Sequence, residues 1–231
     1  MVELFQKGGV FMWPLLVSLV IGVAVILERL WTLSRASINT EKFFMAVQYT
    51  LKNGGVEEAL QVCANTRGPV ASIFHAGLSK VGRGIERVEK AIEDAGTVEV
   101  AFLEKGMVWL STVASIAPLL GFLGTVSGMI KAFEGIARRG DVEPSIVAAG
   151  ISEALITTAA GLSIAIPMQA FHNFFVSRID KLVIDMEESS SALVDSLLDL
   201  GYEEETKPNV TEVRRHGSGA MVDNSRKAYG L

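Results

Sequence analysis

Three long uncharged stretches constrain this chain more than any other feature of its sequence. Val10–Leu27, Gly106–Ile130 and Ala154–Val176 hold 18, 25 and 23 residues without Asp, Glu, Lys or Arg. Since a helix rises about 1.5 Å per residue, roughly 20 apolar residues cross the hydrocarbon core of a membrane. Trp13 and Trp31 flank the shorter first stretch, as interfacial anchors do. We therefore predict an all-α integral membrane protein with three transmembrane helices.

Composition and charge agree with this class and exclude several others. Hydrophobic residues make up 49% of the 231 residues and charged residues only 20%, below the share of a typical soluble domain. The net charge of −5 argues against nucleic acid, which requires a basic face. The single cysteine, Cys63, cannot form an internal disulfide, and no cysteine–histidine spacing suits zinc. A cleaved signal peptide is disfavoured, because Lys7 is the only basic residue before the first stretch and no small-x-small cleavage site directly follows that stretch.

Lysine and arginine are distributed unevenly around the three spans. The side that holds the long middle segment and the C-terminal tail carries 17 of them, and the other side carries 4. The positive-inside rule makes the first side cytoplasmic and leaves the N-terminus in the periplasm. The predicted order is a periplasmic N-terminus (1–9), first span (10–31), cytoplasmic helical region (32–105), second span (106–136), periplasmic loop (137–144), third span (145–177), cytoplasmic helix (178–200) and disordered cytoplasmic tail (201–231).

The region between the first two spans is predicted to be helical. Gly54-Gly55 and Gly68-Pro69 are typical of breaks between successive helices. From Ile85 the helical pattern continues into the second span, which predicts one uninterrupted helix of more than 40 residues. The third span also continues as a helix beyond the membrane. Residues 85–105 and 178–200 are therefore expected to extend two of the spans into a cytoplasmic helical bundle.

Glu153 is the sharpest candidate for chemistry. It follows Pro144 by nine residues, or roughly 13 Å along a helix, and an ionisable residue at that depth usually faces a bundle interior or a water-filled path. Thr157, four residues later, shares its helix face. The alternative is that the bilayer begins further along and Glu153 lies among the headgroups. A role in an ion pathway is the favoured interpretation.

Small and polar residues form a stripe along each of the last two spans. Gly124 and Gly128 make a GxxxG motif, which permits close helix approach. Because a lipid-facing surface favours large apolar side chains, both stripes are predicted to face protein or water. Pro118 and Pro167 each free a carbonyl and allow a kink. The stripes consist of Ser111, Ser115, Gly121, Gly124, Thr125 and Gly128 in the second span, and of Thr158, Ala165, Gln169 and His172 in the third.

Two segments resemble signatures of the MotA/TolQ/ExbB proton-channel family. APLLGFLGTVSGMI at 117–130 is similar to its second-span signature, and ISEALITTAAGLSIAIP at 151–167 is similar to its third-span signature. Because stators of the MotA type have four spans and this chain has three, the resemblance is to the ExbB/TolQ branch, and to its ExbB-like members. Ser127 departs from the signature, which often has Trp there, and Thr157 replaces a frequent Ala.

The resemblance implies a homopentamer around a dimer of a single-span ExbD/TolR-type partner that carries an aspartate in its span. Protons would pass between that aspartate and the pentamer wall and drive rotation of one part against the other. Carried over by position, Thr125 and Thr158 would face the pore, with Glu153 as the third-span carboxylate. Thr157 would add an oxygen ligand beside the path. Because hard cations prefer oxygen ligands, Na⁺ is an alternative to H⁺, the favoured translocated ion. The residues expected to determine helix packing and kinks are Pro118, Gly121, Gly124, Gly128, Gly161 and Pro167.

The implied role lies in the bacterial inner membrane, where the proton motive force would energise outer-membrane transport through a TonB-type protein. One alternative is a TolQ-like subunit that maintains the cell envelope with a TolA-type protein, and another is a motility stator. A hypothesis from a different functional class is that the chain is a purely structural scaffold, in which the polar stripes serve only to pack helices. An enzyme is disfavoured, because no nucleophile–base pair lies near one membrane face. No cofactor, metal or nucleic acid is expected.

Overall fold

Helices make up the regular structure of the described part of this chain. The computed structural model describes residues 2–36, 39–139 and 144–201, and those ranges contain no strand. The all-α prediction is therefore confirmed. The helices are α1 (Val2–Lys7), α2 (Met12–Ala36), α3 (Thr40–Asn65), α4 (Pro69–Leu78), α5 (Ile85–Glu104), α6 (Met107–Arg139) and α7 (Pro144–Asp199), with a 3₁₀ turn at Val81–Arg83.

Three regions of helix, in α2, α6 and α7, are long and apolar enough to cross a membrane. Large apolar side chains stand exposed on their outer surfaces, including Val17, Phe122 and Ile166. An exposed apolar surface of this extent is typical of contact with lipid. The chain is therefore a multi-pass membrane protein, as predicted. The helix ends do not mark the bilayer surfaces, so the predicted limits of each span stay predictions.

The chain divides into two compact units, the first formed by 1–38 and 97–185. Its core lies where α2, α6 and α7 meet. A Cβ atom on Gly22 of α2 would lie 2.5 Å from the sulfur of Met168 and 3.4 Å from a methyl group of Val113, which places all three helices around this glycine. Leu110 and Ala117 of α6 are fully buried. Small residues thus bring the apolar helices together.

The second unit consists of 39–96 together with the described residues from Met186 to Gly201. Its core is built from large apolar side chains. Phe74 of α4 is fully buried, with ring centroids 5.5 Å from Phe43 and 6.2 Å from Phe44 of α3. The end of α7 joins this bundle, since the Gln48 amide donates a hydrogen bond of 3.2 Å to the Ser196 hydroxyl. This unit packs as a soluble helical bundle does.

Glycine and proline mark the breaks in the second unit where the sequence predicts them. Gly55 has a φ of +77° and interrupts the helical conformation within α3. Pro69 occupies the first position of α4, where its missing N–H leaves no hydrogen bond unmade. By contrast, α7 is one continuous helix of 56 residues, so the prediction that the third span continues as a helix beyond the membrane is confirmed.

The structure differs from the prediction of one uninterrupted helix that starts at Ile85. Helix α5 ends at Glu104 and α6 begins at Met107, because Gly106 has a φ of +86°, a conformation that favours glycine. The buried Arg29 side chain stabilises this break. Its Nη1 donates a hydrogen bond of 3.1 Å to the carbonyl of Leu103, one of the free carbonyls at the end of α5.

Other predictions of local structure have different outcomes. Helix α1 lies in the segment that was predicted only as a periplasmic N-terminus. Helices α6 and α7 continue through Pro118 and Pro167, and the expected kinks stay predictions. The predicted disordered tail, 201–231, lies outside the described residues apart from Gly201.

Candidate functional site

Helices α6 and α7 approach each other closely at three levels, where Gly161 meets Gly121, Thr157 meets Gly124 and Gly150 meets Gly128. A Cβ atom on Gly161 would lie 2.6 Å from the carbonyl oxygen of Ala117 and 3.2 Å from the Cα of Gly121. A Cβ atom on Gly128 would lie 2.7 Å from the carbonyl oxygen of Gly150. Because residue numbers in these pairs rise along one helix as they fall along the other, the two helices run antiparallel. We call this contact the α6–α7 seam; its members are Gly121, Gly124, Gly128, Gly150, Thr157 and Gly161.

Thr157 lies inside the seam. Its side chain is fully buried against the space left by Gly124, where a Cβ atom would overlap the threonine hydroxyl. The hydroxyl lies 3.0 Å from the carbonyl of Glu153 and 2.9 Å from that of Ala154, so it donates its proton to its own helix. Within one chain this threonine therefore packs two helices and reaches neither lipid nor a partner. Its predicted place in an ion pathway stays a prediction.

Thr158 and Thr125 are half-buried. The Thr158 hydroxyl donates a hydrogen bond of 3.2 Å to the carbonyl of Gly121 on the facing helix. The Thr125 hydroxyl donates one of 2.6 Å to the carbonyl of Phe122 on its own helix. Each oxygen keeps lone pairs that accept a hydrogen bond from a further donor. Both residues can thus present an acceptor to a partner, and their pore-facing role stays a prediction.

Glu153 forms an ion pair that the sequence reasoning missed. The Lys131 ammonium of α6 donates to the Glu153 carboxylate of α7. The Glu153 side chain is 16% exposed and that of Lys131 is 49% exposed. A signal was present in the sequence, since Lys131 is the first charge after one uncharged stretch and Glu153 is the last charge before the next. Nothing in the spacing alone, however, brings these two ends together.

The N-terminal turn lies against the same carboxylate. Gly9 has a φ of +71°, and a Cβ atom there would overlap the carboxylate of Glu153. A Cβ atom on the neighbouring Gly8 would approach a methyl group of Ile156 at 3.3 Å. The backbone between α1 and α2 therefore packs directly on α7. Three separate parts of the chain meet at Glu153.

Two cavities lie along the α6–α7 pair. One of about 370 Å³ is lined by Lys131, Ser145, Gly150, Glu153 and neighbouring small or apolar residues. The other, of about 480 Å³, is lined by Ser111, Thr112, Ser115, His172 and three apolar residues. Glu153 and His172 are 19 residues apart on α7, or roughly 28 Å, which is close to the hydrocarbon thickness of a bilayer. Polar groups thus lie at both ends of a span-length helix pair, and the seam residues Gly121, Gly124, Thr157 and Gly161 lie between them.

The rest of the predicted polar stripe on α7 is divided between surface and core. Ala165 is buried, Gln169 is exposed and His172 is half-buried. The Gln169 amide donates a hydrogen bond of 3.0 Å to the Asn173 side chain. Across the ranges that the structure describes, no cluster of three His, Cys, Asp or Glu side chains could hold a metal ion.

These features define the class of the protein. It is a multi-pass helical membrane protein in which two apolar helices pack through glycines and carry an ion pair and threonines between them. The chain belongs to the MotA/TolQ/ExbB proton channel family, which matches residues 65–188, more than half of its length. The family is one of membrane channel subunits, and the three-span architecture and the relatives that follow place the chain in its ExbB/TolQ branch.

Its relatives carry the names of both types in that branch. An ExbB homologue of Methanothermobacter thermautotrophicus, named for biopolymer transport, is 31% identical over 87% of this chain and 70% of its own length. The biopolymer transport protein exbB1 of Vibrio cholerae is 29% identical over 81% of this chain and 84% of its own. The Tol-Pal system protein TolQ of Pseudomonas aeruginosa is 37% identical over 49% of this chain and 54% of its own.

Proposed function

We propose that this chain forms the pentameric wall of a proton-driven motor in the bacterial inner membrane. Each wall surrounds a dimer of a single-span ExbD/TolR-type partner that carries an aspartate in its span. Proton movement between that aspartate and the wall turns one part against the other and energises outer-membrane transport through a TonB-type protein. The observation that carries this proposal is the position of Glu153, Thr158 and Thr125 on a glycine-packed helix pair of a proton-channel family member.

The physical basis is the response of a partner carboxylate to its surroundings. In a ring, copies of Thr125 and Thr158 line a polar path through an otherwise apolar wall. A carboxylate is charged where it meets these acceptors and water, and neutral where it meets apolar surface. One charge moved across 100 mV is worth roughly 2.3 kcal/mol, which is sufficient to bias a conformational step. The wall therefore needs no covalent chemistry of its own.

The distribution of basic residues supports the orientation. Most lysines and arginines lie in the middle segment and the tail, so these are cytoplasmic and the N-terminus is periplasmic. The Lys131–Glu153 cavity then opens near the periplasmic end of α6 and α7, and the His172 cavity near the cytoplasmic end. Protons enter along the first and leave along the second.

Two measurements test the proposal. Native mass spectrometry of the full chain in mild detergent is expected to give five copies of the 24.8 kDa chain. In liposomes that also contain an ExbD-type partner, Thr158→Val is expected to lower proton flux about tenfold or more. Thr50→Val on α3 is the matched control, because its hydroxyl likewise bonds back to a carbonyl of its own helix, that of Ala46, and lies outside the α6–α7 pair. A monomer in the first measurement, or equal flux from Thr158→Val and the wild type, would overturn the proposal.

A TolQ-type role is the second candidate, because the relative named TolQ has the highest identity of the three described above. In that role the same motor acts with TolR- and TolA-type partners on the cell envelope. Deletion of the gene distinguishes the two roles. Loss of TonB-dependent uptake with an intact envelope supports the first, and detergent sensitivity with normal uptake supports the second.

A further inference from the structure

Lys131 lines the cavity by which protons enter the proposed motor, but its ammonium has no role of its own in that motor. It lies on α6 directly after an uncharged stretch of 25 residues, and its ammonium pairs with Glu153 on α7. Lys131 precedes the end of α6 by eight residues, about 12 Å, and Glu153 follows the start of α7 by nine, about 13 Å. The two charges therefore stand at the same level of an antiparallel pair.

The surroundings of the carboxylate leave few directions of approach. The backbone of Gly9 covers one side of Glu153, because a Cβ atom there would overlap its carboxylate. The Lys131 ammonium occupies a second side. The remaining side opens into the cavity of about 370 Å³, which Ser145 and Gly150 also line. Any ion that enters this cavity meets a carboxylate that already holds a cation.

This geometry treats a proton and an alkali cation differently. A hard cation such as Na⁺ needs several oxygen ligands at once, and here the ammonium fills the position beside the carboxylate and repels a second positive charge. The ammonium repels a proton as well, but a proton needs only one oxygen lone pair, and a carboxylate that is bonded to one ammonium keeps others. The discrimination therefore comes from the ligand position that the ammonium occupies, which Na⁺ needs and a proton does not. The lysine stem is flexible and half exposed, so the ammonium can move while it stays attached.

We propose that Lys131 acts as a tethered cation that excludes Na⁺ and other alkali cations from Glu153 and so makes the channel specific for protons. The inference rests on the proposed function for its physiological meaning. Without the ammonium, Glu153 and the oxygens around its cavity become a site for Na⁺.

The experiment measures the melting temperature of the full-length, detergent-solubilised protein by tryptophan fluorescence, in NaCl and in choline chloride of equal ionic strength. The wild type and Lys131→Arg, which keeps the charge, are expected to melt alike in both salts. Lys131→Met is expected to melt about 2–4 °C higher in NaCl, because ligands that bind only the folded state stabilise it. The double variant Lys131→Met/Glu153→Gln is expected to lose that difference.

Two results would overturn the inference. One is a sodium-specific rise in melting temperature of the wild type, which would mean that Lys131 excludes nothing. The other is the absence of any salt difference in Lys131→Met, with the same native mass as the wild type. Should Lys131→Met fail to fold, Lys131→Gln keeps a side chain of similar length and takes its place under the same criteria.

Ion flux separates this inference from the motor itself. In liposomes with the ExbD-type partner, the wild type is expected to conduct protons at a rate that does not depend on Na⁺. Lys131→Met is expected to admit radioactive ²²Na⁺ at least tenfold faster than the wild type. Absence of proton flux from the wild type would overturn the proposed function, while the sodium dependence of the melting temperatures would still decide the role of Lys131.

Discussion

The two compact units of this chain hold their helices together by opposite means. In the α6–α7 seam, glycines and one buried threonine bring two backbones into contact. In the unit formed by 39–96 and the end of α7, large side chains such as Phe74, Leu193 and Leu197 fill the space between helices. The difference follows from the solvent. Lipid gives no hydrophobic drive toward helix association, so close van der Waals packing replaces it, whereas water favours the burial of large apolar side chains.

The largest expected effect comes from placing a side chain in the seam. Gly161→Leu puts a Cβ atom 2.6 Å from the Ala117 carbonyl, and neither backbone can move aside without separating the helices. We expect loss of the folded helix pair, measured as loss of the detergent-stable protein in size-exclusion chromatography. Gly82→Leu is the control, because a Cβ atom there meets nothing within 4 Å. Equal yields of the two variants would contradict the description of the seam.

The complementary change removes a large side chain from the core of the second unit. Phe74→Ala removes a fully buried ring that contacts Phe43 and Phe44, and we expect it to lower the free energy of unfolding by about 3–5 kcal/mol. Thermal unfolding of the purified chain measures this loss. Tyr49→Ala, at a side chain that is 72% exposed on α3, is expected to change little. A small loss from Phe74→Ala would mean that this unit does not pack through its large side chains.

A smaller effect separates the two adjacent threonines. Thr158→Val removes an interhelical hydrogen bond of 3.2 Å and is expected to cost about 1 kcal/mol in addition to its loss of proton flux. Thr157→Val keeps the buried shape and removes only a bond to its own helix, so stability is expected to change by less than about 0.5 kcal/mol. Proton flux through Thr157→Val is expected to match the wild type. Equal loss of flux from both variants would place Thr157 on the path.

The smallest effect concerns Cys63, in the core of the second unit. Burial raises the pKa of its thiol from 9.0 to about 11, because the charged thiolate is poorly solvated there. We expect slow maleimide labelling of the folded protein at pH 7 to 9 and fast labelling after unfolding. Since the unfolded thiol loses its proton first, stability is expected to fall as the pH rises from 9 toward 11. Rapid labelling at neutral pH would contradict a close-packed core.

Sequence patterns predicted the features of this fold that depend on neighbours along the chain. The uncharged stretches marked three span-length helices, and the turns near Gly55 and Pro69 came from the known preferences of glycine and proline. The break at Gly106 was missed. A single glycine within an apolar pattern is compatible with a helix, and the break here also depends on Arg29, whose side chain bonds to a carbonyl 74 residues away.

The same distinction between local pattern and tertiary packing applies to the candidate site. The sequence by itself determined that Glu153 and two adjacent threonines lie in an apolar helix, together with glycines that permit close packing. Only the tertiary structure decided that Lys131 pairs with Glu153, that Gly9 covers the carboxylate, and that Thr157 is the buried hydroxyl. The reason is rotational. Successive residues point about 100° apart around a helix, so the rotation set by packing against α6, which no local pattern specifies, determines which threonine is covered.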